Sequence, residues 1–443
     1  MRIVFNDHGK TGKFDMEAIE MAVRAAVHRA GAATLTELLQ FPAPAANQRR
    51  IPCPCGLDAR YLELRSKTIL TVVGQIEVSR PYYLCPHCRN GQFPADVELD
   101  IEHVDCSPGV RRMKVMVGHD GPFEHGRKQM KYLAGLDVTT KSVERTAENI
   151  GADIAARDQH RITSAMGARV ESATQLPLPV VISKPILILY LEMDGTGISV
   201  VKKETLGRKG KIAGQLAHTR EVKLGCVFTQ AECDAEGFVI RAPDSTTYVG
   251  AIEPAQVFGK RLYLEALDRG WDHAEMKVVI GDGAEWIWNS TDLHFPGAIE
   301  IVDLYHAREY LWELARKLHP NDEANLKQWM DVHQPLLDGG KIKKLTVALT
   351  AIAENHPEVA DKFRTDIEYF RRNAMRMRYP KFRRLHLFVG SGVIEAGCRT
   401  VIGSRLKLSG MFWTVTGANA IIALRCSQIN NRFEDYWEDR RVA

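Results

Sequence analysis

Two short apolar segments constrain the fold of this 443-residue chain more than any other feature. The first covers residues 186–193 and the second 276–281, and both contain β-branched residues. An aspartate follows each segment directly, Asp194 after the first and Asp282 after the second, and each aspartate is followed by glycine. Apolar runs of this length and composition predict strands that are buried inside a sheet. We therefore expect two buried strands, each delivering a carboxylate at its end.

The sequence around these segments alternates between strand and helix patterns up to residue 303. Hairpin-like strands followed by strand–helix–strand units predict a mixed sheet with helices on its faces, so the expected fold class is α/β. Residues 304–384 are helical in pattern and interrupt this alternation, which resumes at residue 390. The predicted elements are strands at 186–193, 198–202, 222–229, 276–281 and 298–302 and helices beginning at 256 and 284.

The chain is long for a single hydrophobic core and should divide into several domains. A segment with three prolines at 175–185 is typical of a linker. The predicted regions are an N-terminal helical segment at 1–50, a cysteine-containing domain at 51–105, a helical region at 106–175, the first part of an α/β domain at 186–303, a helical insertion at 304–388 and the last part of the α/β domain at 389–443.

Composition indicates a soluble, intracellular protein. The apolar and charged fractions are 45% and 26%, which is ordinary for a globular chain. No apolar stretch approaches the length of a membrane span, and the first residues lack the apolar core of a signal peptide. Nine cysteines, an odd number with four of them close together, do not match a secreted disulfide framework.

Four cysteines form two close pairs, Cys53 with Cys55 and Cys85 with Cys88, separated by strand-like sequence. Four thiolates in two pairs can close a tetrahedral zinc site, which stabilises small domains that lack a large core. The first pair is one residue shorter than the usual spacing, and His87 is available as a substitute ligand. The alternative is a β-rich segment with unrelated reduced cysteines. We expect a structural zinc ribbon.

Residues 123–150 follow a helix–turn–helix pattern, with a threonine suited to the N-cap at the start of the second helix. Thr140, Lys141, Ser142 and Arg145 are expected on the surface of that helix, where they could reach DNA phosphates or base edges. The alternative is a plain helical hairpin with a solvated surface.

A third acid, Glu395, lies in the first turn of a helix that follows a glycine-containing turn. Carboxylate oxygens are preferred by hard divalent cations, and a pair of such cations serves phosphoryl-transfer enzymes. Taken singly, Asp194 and Asp282 could be simple turn residues, because Asp-Gly is a common turn dipeptide. Taken together, strand-end acids with no adjacent basic partner are costly to bury unless they bind a cation.

Asp303 and His306 follow the next predicted strand. They could support the acidic residues, with His306 near a reacting phosphate. Asp303 could equally serve as a simple helix start.

Basic residues crowd the stretch 371–384, where aromatic residues separate them, and they return after Glu395. This combination is more typical of a nucleic-acid surface than of a random charge run. The alternative is a solvated helix surface, and Trp413 is expected in the core. The candidate DNA-binding residues here are Arg376, Arg378, Arg399, Arg405 and Lys407.

Several of these strings together resemble bacterial insertion-sequence DDE transposases, closest to the Kra-type group that is related to Mutator-like transposases. Residues 392–398 (GVIEAGC), 405–407 (RLK) and 410–413 (GMFW) look like the C-terminal signature of the family. Residues 194–196 (DGT) and 281–287 (GDGAEWI) match its first two acidic motifs, and 303–306 (DLYH) matches an accompanying element.

The resemblance implies an RNase H-like catalytic core with an all-helical insertion. It implies that Asp194, Asp282 and Glu395 hold two Mg²⁺ ions for cleavage and strand transfer, with His306 at the catalytic site. The partners implied are double-stranded DNA, both terminal inverted repeats and target, and further copies of the chain on that DNA, in the bacterial cytoplasm at the nucleoid. The alternatives are an RNase H-like nuclease that does not join strands and a domesticated DNA-binding regulator.

Overall fold

The computed structural model describes residues 15–171, 186–210, 217–234, 236, 239–357 and 360–442. The chain divides into two compact units, Met1–Ala147 and Glu148–Ala443. The linker predicted at 175–185 lies outside the described residues.

The first unit contains a four-stranded antiparallel sheet in the order β1-β2-β3-β4. Its two long strands pair from residue 60 to residue 84 and are joined by a two-residue turn at 72–73. Alternating buried and exposed residues along these strands reflect a sheet with one face in the core. The strands are β1 Arg50–Pro52, β2 Asp58–Thr71, β3 Gly74–Leu84 and β4 Gly91–Gln92.

Five α-helices begin within residues 15–147, the described part of the first unit. The first helix packs against the sheet through Ala32 and Leu35, which contact the buried cluster of Ile69, Ile76 and Val78. The last helix begins in the first unit and continues into the second. The helices are α1 Met16–Leu38, α2 Pro94–Glu98, α3 Pro108–Asp120, α4 Phe123–Gln129 and α5 Thr140–Glu171.

The second unit contains a six-stranded mixed sheet, as the alternating sequence pattern predicted. The order is β10-β9-β5-β6-β7, and β8 also pairs with β6. β9 and β10 run parallel to β5, whereas β6 runs antiparallel to it. The strands are β5 Ile188–Ser199, β6 Thr219–Cys233, β7 Val239–Arg241, β8 Thr247–Ala251, β9 Met276–Gly281 and β10 Ile299–Val302.

The prediction that a strand ends at Asp194 was wrong. Most of the strand expected at 186–193 and the first two residues of the strand expected at 198–202 belong to one continuous strand, β5, which ends at Ser199. Residues 194–199 pair with β6 over their whole length, from Asp194 opposite Leu224 to Ser199 opposite Thr219. This pairing supplies the backbone hydrogen bonds that keep the Asp-Gly dipeptide extended. Asp282, in contrast, follows the last residue of β9 as predicted.

Helices cover both faces of this sheet. Gly225 faces Phe258 and Leu262 of one helix, whereas the neighbouring residue Leu224 faces the side on which Ile422 lies. Because successive residues of a strand point to opposite faces, these helices form two separate layers. The helices are α6 Ala255–Asp268, α7 Glu285–His294, α8 Leu304–Leu318, α9 Glu323–Asp338, α10 Ile342–Asn355, α11 Ala360–Arg372, α12 Tyr379–Arg384, α13 Gly392–Gly397, α14 Ser404–Leu406, α15 Val415–Ile429 and α16 Phe433–Val442.

The described residues between β10 and α13 include the helices α8 to α12. In the described part of the chain, no helix combines the length and the apolar character that a membrane crossing requires.

Candidate active site and cysteine centre

The sheet register brings the first two acids together. β5 and β9 are parallel, and their last paired residues are Met193 and Gly281. The residues that follow, Asp194 and Asp282, therefore lie side by side at the carboxyl end of this strand pair. β10 ends at the same level, because Val302 pairs with Gly281. Crevices outside the carboxyl ends of parallel strands are the usual ligand sites of α/β sheets.

Asp282 is partly buried, and its carboxylate accepts a hydrogen bond of 2.8 Å from the amide of Ala284. Burial raises the pKa of Asp282 above its usual value, and the negative charge of Asp194 acts in the same direction. The Ala284 amide and His306 oppose this shift. A carboxylate whose ionisation is disfavoured by burial and by a neighbouring carboxylate is a place where a bound cation is favourable.

The helical insertion fixes the loop that carries Asp282. The Tyr369 hydroxyl donates a 2.9 Å hydrogen bond to the backbone carbonyl of Asp282. Gly283 has a φ of +97°, and a Cβ there would lie 2.5 Å from the Tyr369 ring. Tyr369 stacks on Tyr310 at 4.2 Å between ring centroids, and Tyr310 contacts His306 edge-on at 5.3 Å. The second acid and His306 are therefore supported by one aromatic column.

Asp303 serves the fold rather than the acidic edge. It is fully buried, and one carboxylate oxygen caps α8 by accepting from the amides of Tyr305 at 2.6 Å and His306 at 3.3 Å. The other oxygen accepts from the amide of Ser391 at 2.9 Å and from the Ser391 hydroxyl. Of the two roles considered for Asp303, its contacts support the helix start, and they also tie α8 to the turn before α13.

The third acid lies on α13, which packs beside β5. Glu395 is exposed, and its carboxylate lies 3.3 Å from the Ser391 hydroxyl. One turn later, the Cys398 thiol donates to the Asp194 carboxylate at 3.3 Å. Burial and the Asp194 charge raise the pKa of Cys398, so it stays a thiol. Since residues three apart share one side of a helix, Glu395 faces the same edge of the sheet as Asp194.

A fourth acid of this region, Glu192, was missed by the sequence analysis. It is fully buried on β5, and its Oε2 accepts a 2.7 Å hydrogen bond from the amide of Ile394. Its Oε1 has no hydrogen-bond partner among the described residues. Burial raises the pKa of Glu192 to about 8, although the Ile394 amide lowers it; Asp303 and Glu395 add to the rise. The sequence feature that could have indicated Glu192 is an acidic residue inside an apolar run.

The helical segment after Glu395 is irregular and anchored. Residues Cys398–Gly403 form a π-helical turn, a feature that is frequent at functional sites. The buried guanidinium of Arg425 donates to the carbonyls of Val401, at 2.6 Å, and Thr400, and to the Ser404 hydroxyl at 2.9 Å. These bonds satisfy carbonyls that the irregular turn leaves open.

Two of the arginines predicted to bind DNA pack against the protein itself: Arg405 belongs to the core, which corrects the prediction for that residue, and Arg376 is partly buried. Arg405 is 0% exposed and lies over the ring of the buried Trp413, which is in the core as expected. Arg376 pairs with Glu300 and lies 4.4 Å from the Trp288 ring centroid. Guanidinium groups pack well on aromatic faces, so both arginines stabilise the fold. Arg405, which is fully buried, is not available to DNA.

The other three basic candidates are exposed: Arg378, Arg399 and Lys407. Arg399 follows Glu395 by one helical turn. The Lys407 amino group contacts the Thr196 hydroxyl, two residues after the first acid. Two exposed cations therefore flank the acidic edge.

The four cysteines of the first unit come together as the sequence predicted. The sulfur atoms of Cys53 and Cys88 lie 3.5 Å apart, and those of Cys55 and Cys85 lie 3.7 Å apart. All four sulfur atoms lie within 4.8 Å of one another. Among the described residues, this is the group whose ligand atoms are close enough to share one ion; the acids of the second unit do not form such a group.

Two tight turns hold these cysteines. The Cys53 amide donates to the Leu57 carbonyl at 2.8 Å, and the Cys85 amide donates to the Asn90 carbonyl at 2.9 Å. The amides of Cys88 and His87 lower the pKa of Cys85 to about 6, which favours the thiolate that zinc binds. The His87 side chain is exposed and is not part of the group.

The segment predicted as helix–turn–helix contains two helices, α4 and α5, joined by a turn. α4 continues as a π-helical turn to Gly135, which has a φ of 69°, and the chain then runs through the buried Leu136 and Val138. The Thr139 hydroxyl caps α5 by accepting from the Ser142 amide at 3.0 Å.

The candidate DNA contacts on α5 divide into two kinds. The Thr140 hydroxyl donates to Glu124 at 2.6 Å, and the Ser142 hydroxyl accepts from the buried Lys114 at 2.8 Å. Lys141 and Arg145 are exposed and lie one turn apart on the same side of the helix. Of the four candidate contacts, Lys141 and Arg145 are therefore the two whose side chains are exposed cations on the surface of α5.

Comparison with known proteins gives little further information. No family model matches the chain, and no curated protein matches it. One similar solved structure is a Drosophila P element transposase strand transfer complex, at 9% identity, over 78% of this chain and 83% of that chain, with a TM-score of 0.24. A TM-score of this size carries no argument about this chain.

Proposed function

We propose that this chain is a DDE-type DNA transposase, which cleaves insertion-sequence ends and joins them to target DNA. The observation that carries the proposal is the register of β5 and β9, which puts Asp194 beside Asp282 at the edge that α13 and Glu395 also face. The strand order β8-β6-β5-β9-β10, with β5, β9 and β10 parallel, supports the RNase H-like core that the sequence resemblance implies.

The donor set at this edge fits Mg²⁺. Asp194, Asp282 and Glu395 offer the carboxylate oxygens that hard cations prefer, and the charge of Asp194 disfavours ionisation of Asp282. These three residues would hold the ions. When bound, a pair of divalent ions activates the attacking oxygen and stabilises the leaving oxygen of the phosphodiester.

The other residues of the site position the acids and the DNA. The aromatic column through Tyr369 keeps the Asp282 loop in place, and His306, which contacts this column, would face the scissile phosphate. Arg399 and Lys407 would hold the phosphate backbone beside the acidic edge. Because phosphate contacts position DNA without reading its sequence, sequence recognition needs another part of the chain.

The first unit supplies the elements for this recognition. Cys53, Cys55, Cys85 and Cys88 would hold a zinc ion that stabilises the ends of both long strands. Lys141 and Arg145 on α5 would contact the terminal inverted repeats.

The proposal is tested with DNA duplexes copied from the chromosomal sequences on both sides of the gene that encodes the chain. The labelled duplexes are incubated with the protein, Mg²⁺ and a supercoiled target plasmid. Wild-type protein should cleave the duplexes and join the freed ends to the plasmid. Asp282→Asn should slow both steps by on the order of 10³-fold, because metal ions contribute several kcal/mol to such transition states.

The exposed aspartate Asp331 provides the matched control, and Asp331→Asn should retain full activity. Cleavage without joining would instead indicate a nuclease. Binding without any cleavage would indicate a DNA-binding regulator. Full strand transfer by Asp282→Asn would contradict the assignment of the acids.

A further inference from the structure

We propose that Glu192 is a positioning residue whose buried carboxyl group fixes α13, and with it Glu395, against the strand that carries Asp194. This inference rests on the proposed function, because it concerns the same three acids. It adds a residue that touches neither metal nor DNA and acts through the placement of Glu395.

Both Glu192 and Asp194 belong to β5. Glu192 and Asp194 are two residues apart in one strand, so their side chains lie on the same face. That face is covered by α13, since Glu192 accepts from the Ile394 amide at 2.7 Å and Asp194 accepts from the Cys398 thiol at 3.3 Å. The two side chains therefore hold α13 at its first turn and one turn further on.

The start of α13 lacks a side-chain cap from its own N-cap residue. Amides in the first turn of a helix have no acceptor within the helix. Ser391 occupies the N-cap but makes no side-chain cap bond to these amides, because its hydroxyl is bonded to Asp303 and Glu395. Glu192 supplies the missing acceptor from the neighbouring strand. A short helix that continues into a π-helical turn has little stability of its own, so such an anchor matters.

Burial of the Glu192 carboxyl group has an energetic cost. Glu192 is 0% exposed, and its Oε1 finds no hydrogen-bond partner in the described part of the chain. Burying a carboxyl group with one unsatisfied oxygen is unfavourable, and an apolar side chain of similar volume would fill the same space without this cost. Packing alone therefore does not account for an acid here, whereas the bond to the Ile394 amide does.

Complete burial also distinguishes Glu192 from the three acids of the site. Glu395 is exposed and Asp194 and Asp282 are partly exposed, so a hydrated ion or a phosphodiester can reach them. Glu192 is closed off beneath α13 and directs Oε2 at a backbone amide. Its effect on the reaction is therefore indirect.

The test compares Glu192→Leu with Glu192→Gln, because the glutamine carbonyl can still accept from the Ile394 amide. Amide hydrogen exchange is followed by mass spectrometry in metal-free protein over peptides that cover residues 390–400. Glu192→Leu should speed exchange there about tenfold, as expected for one lost buried hydrogen bond, and leave the α15 amides unchanged. Glu192→Gln should restore exchange close to the wild-type rate.

Cleavage of the flanking duplexes gives the second readout. Glu192→Leu should lower the rate at saturating DNA about tenfold and raise the Mg²⁺ concentration at half-maximal rate, and Glu192→Gln should recover both. Glu265→Gln is the matched control: Glu265 is also buried, but it pairs with Arg432 away from α13, and this change should leave the 390–400 exchange unaltered.

Different results contradict the positioning role of Glu192 and the proposed transposase activity. Wild-type exchange in Glu192→Leu would overturn the positioning role, whatever the activity. Wild-type exchange in Glu192→Gln together with a loss of cleavage equal to that of Asp282→Asn would also overturn it, since Glu192 would then act through its charge. Faster exchange in Glu192→Leu, with no cleavage even by wild-type protein, would support the positioning role and contradict only the proposed transposase.

Discussion

The cysteine centre and the acidic site are both sets of metal-type ligands, but the chain assembles them in different ways. The cysteines lie at two tight turns at the ends of adjacent strands, and their sulfur atoms already lie within 4.8 Å of one another. The acids come from β5, from the end of β9 and from α13, which are far apart in sequence. They face one edge of the sheet only because the sheet and the helix layer form correctly.

This difference determines which substitutions should damage each site. A site made of local turns depends on its own ligands, so losing one ligand should damage it directly. A site made by topology depends equally on residues that are not ligands, such as Gly283, Tyr369 and Glu192.

The largest effect is expected from Cys85→Ser in the cysteine centre. Structural zinc contributes roughly 10–16 kcal/mol to the folding of small zinc domains, so removal of one thiolate should release the ion and loosen β1 to β4. Zinc content by mass spectrometry and exchange protection over residues 50–92 measure the outcome. Cys233→Ser is the control, because Cys233 is outside the group. Full zinc content in Cys85→Ser would refute the four-cysteine site.

In the acidic site, a comparable test replaces a residue that is not a ligand. Gly283→Ala adds a Cβ 2.5 Å from the Tyr369 ring at a φ of +97°, so it should destabilise the second unit. Overpacking costs about 1–3 kcal/mol, and the left-handed backbone adds about 1–2 kcal/mol. Thermal unfolding and Mg²⁺-dependent cleavage should both decline.

Gly207→Ala is the matched control for this change. Gly207 also has a positive φ, of +73°, but a Cβ there would meet nothing within 4 Å. It should therefore show the backbone cost alone, and cleavage should persist. Equal losses of cleavage in the two variants would show that contact with Tyr369 does not matter.

Substitutions of an exposed and of a buried arginine should have smaller effects that differ from each other. Arg399→Ala should weaken DNA binding. It should also reduce the steepness of the plot of log K for DNA binding against the logarithm of the salt concentration by about 0.9, as expected for one lost phosphate contact. Its melting temperature should not change. Arg405→Ala should lower the melting temperature, because Arg405 is fully buried against Trp413. The reverse pattern would show that the burial of these arginines does not determine their roles.

The smallest effect is expected from Tyr369→Phe. The change removes one hydrogen bond to the Asp282 carbonyl and leaves the stacking on Tyr310 intact. A net loss of about 0.5–1.5 kcal/mol in unfolding free energy should result, with a cleavage rate reduced only several-fold. A loss as large as that of Gly283→Ala would assign the hydroxyl a direct part in the reaction.

Local features of the chain were predictable because their causes are local. The spacing of Cys85 and Cys88, the N-cap before α5 and the strand Met276–Gly281 each depend on a few neighbouring residues. The alternation of strands and helices also predicted the mixed sheet, since each element bears its own apolar pattern.

Features with distant causes were not predictable in the same way. Asp194 was expected at a strand end, because the turn preference of Asp-Gly gave no hint of the pairing with β6. Arg376 resembled a surface residue until Glu300 and Trp288 were known to surround it. The acceptor role of Glu192 depends on an amide 202 residues away.

Manganese binding tests the central claim most directly, namely that the three acids form one divalent-cation site. Mn²⁺ is titrated into zinc-loaded protein and followed by electron paramagnetic resonance, in wild type, Asp194→Asn, Asp282→Asn and the control Asp331→Asn. We expect Asp194→Asn and Asp282→Asn each to weaken Mn²⁺ binding by about tenfold or more, and Asp331→Asn to match wild type. Identical Mn²⁺ affinity in all four proteins would contradict the account.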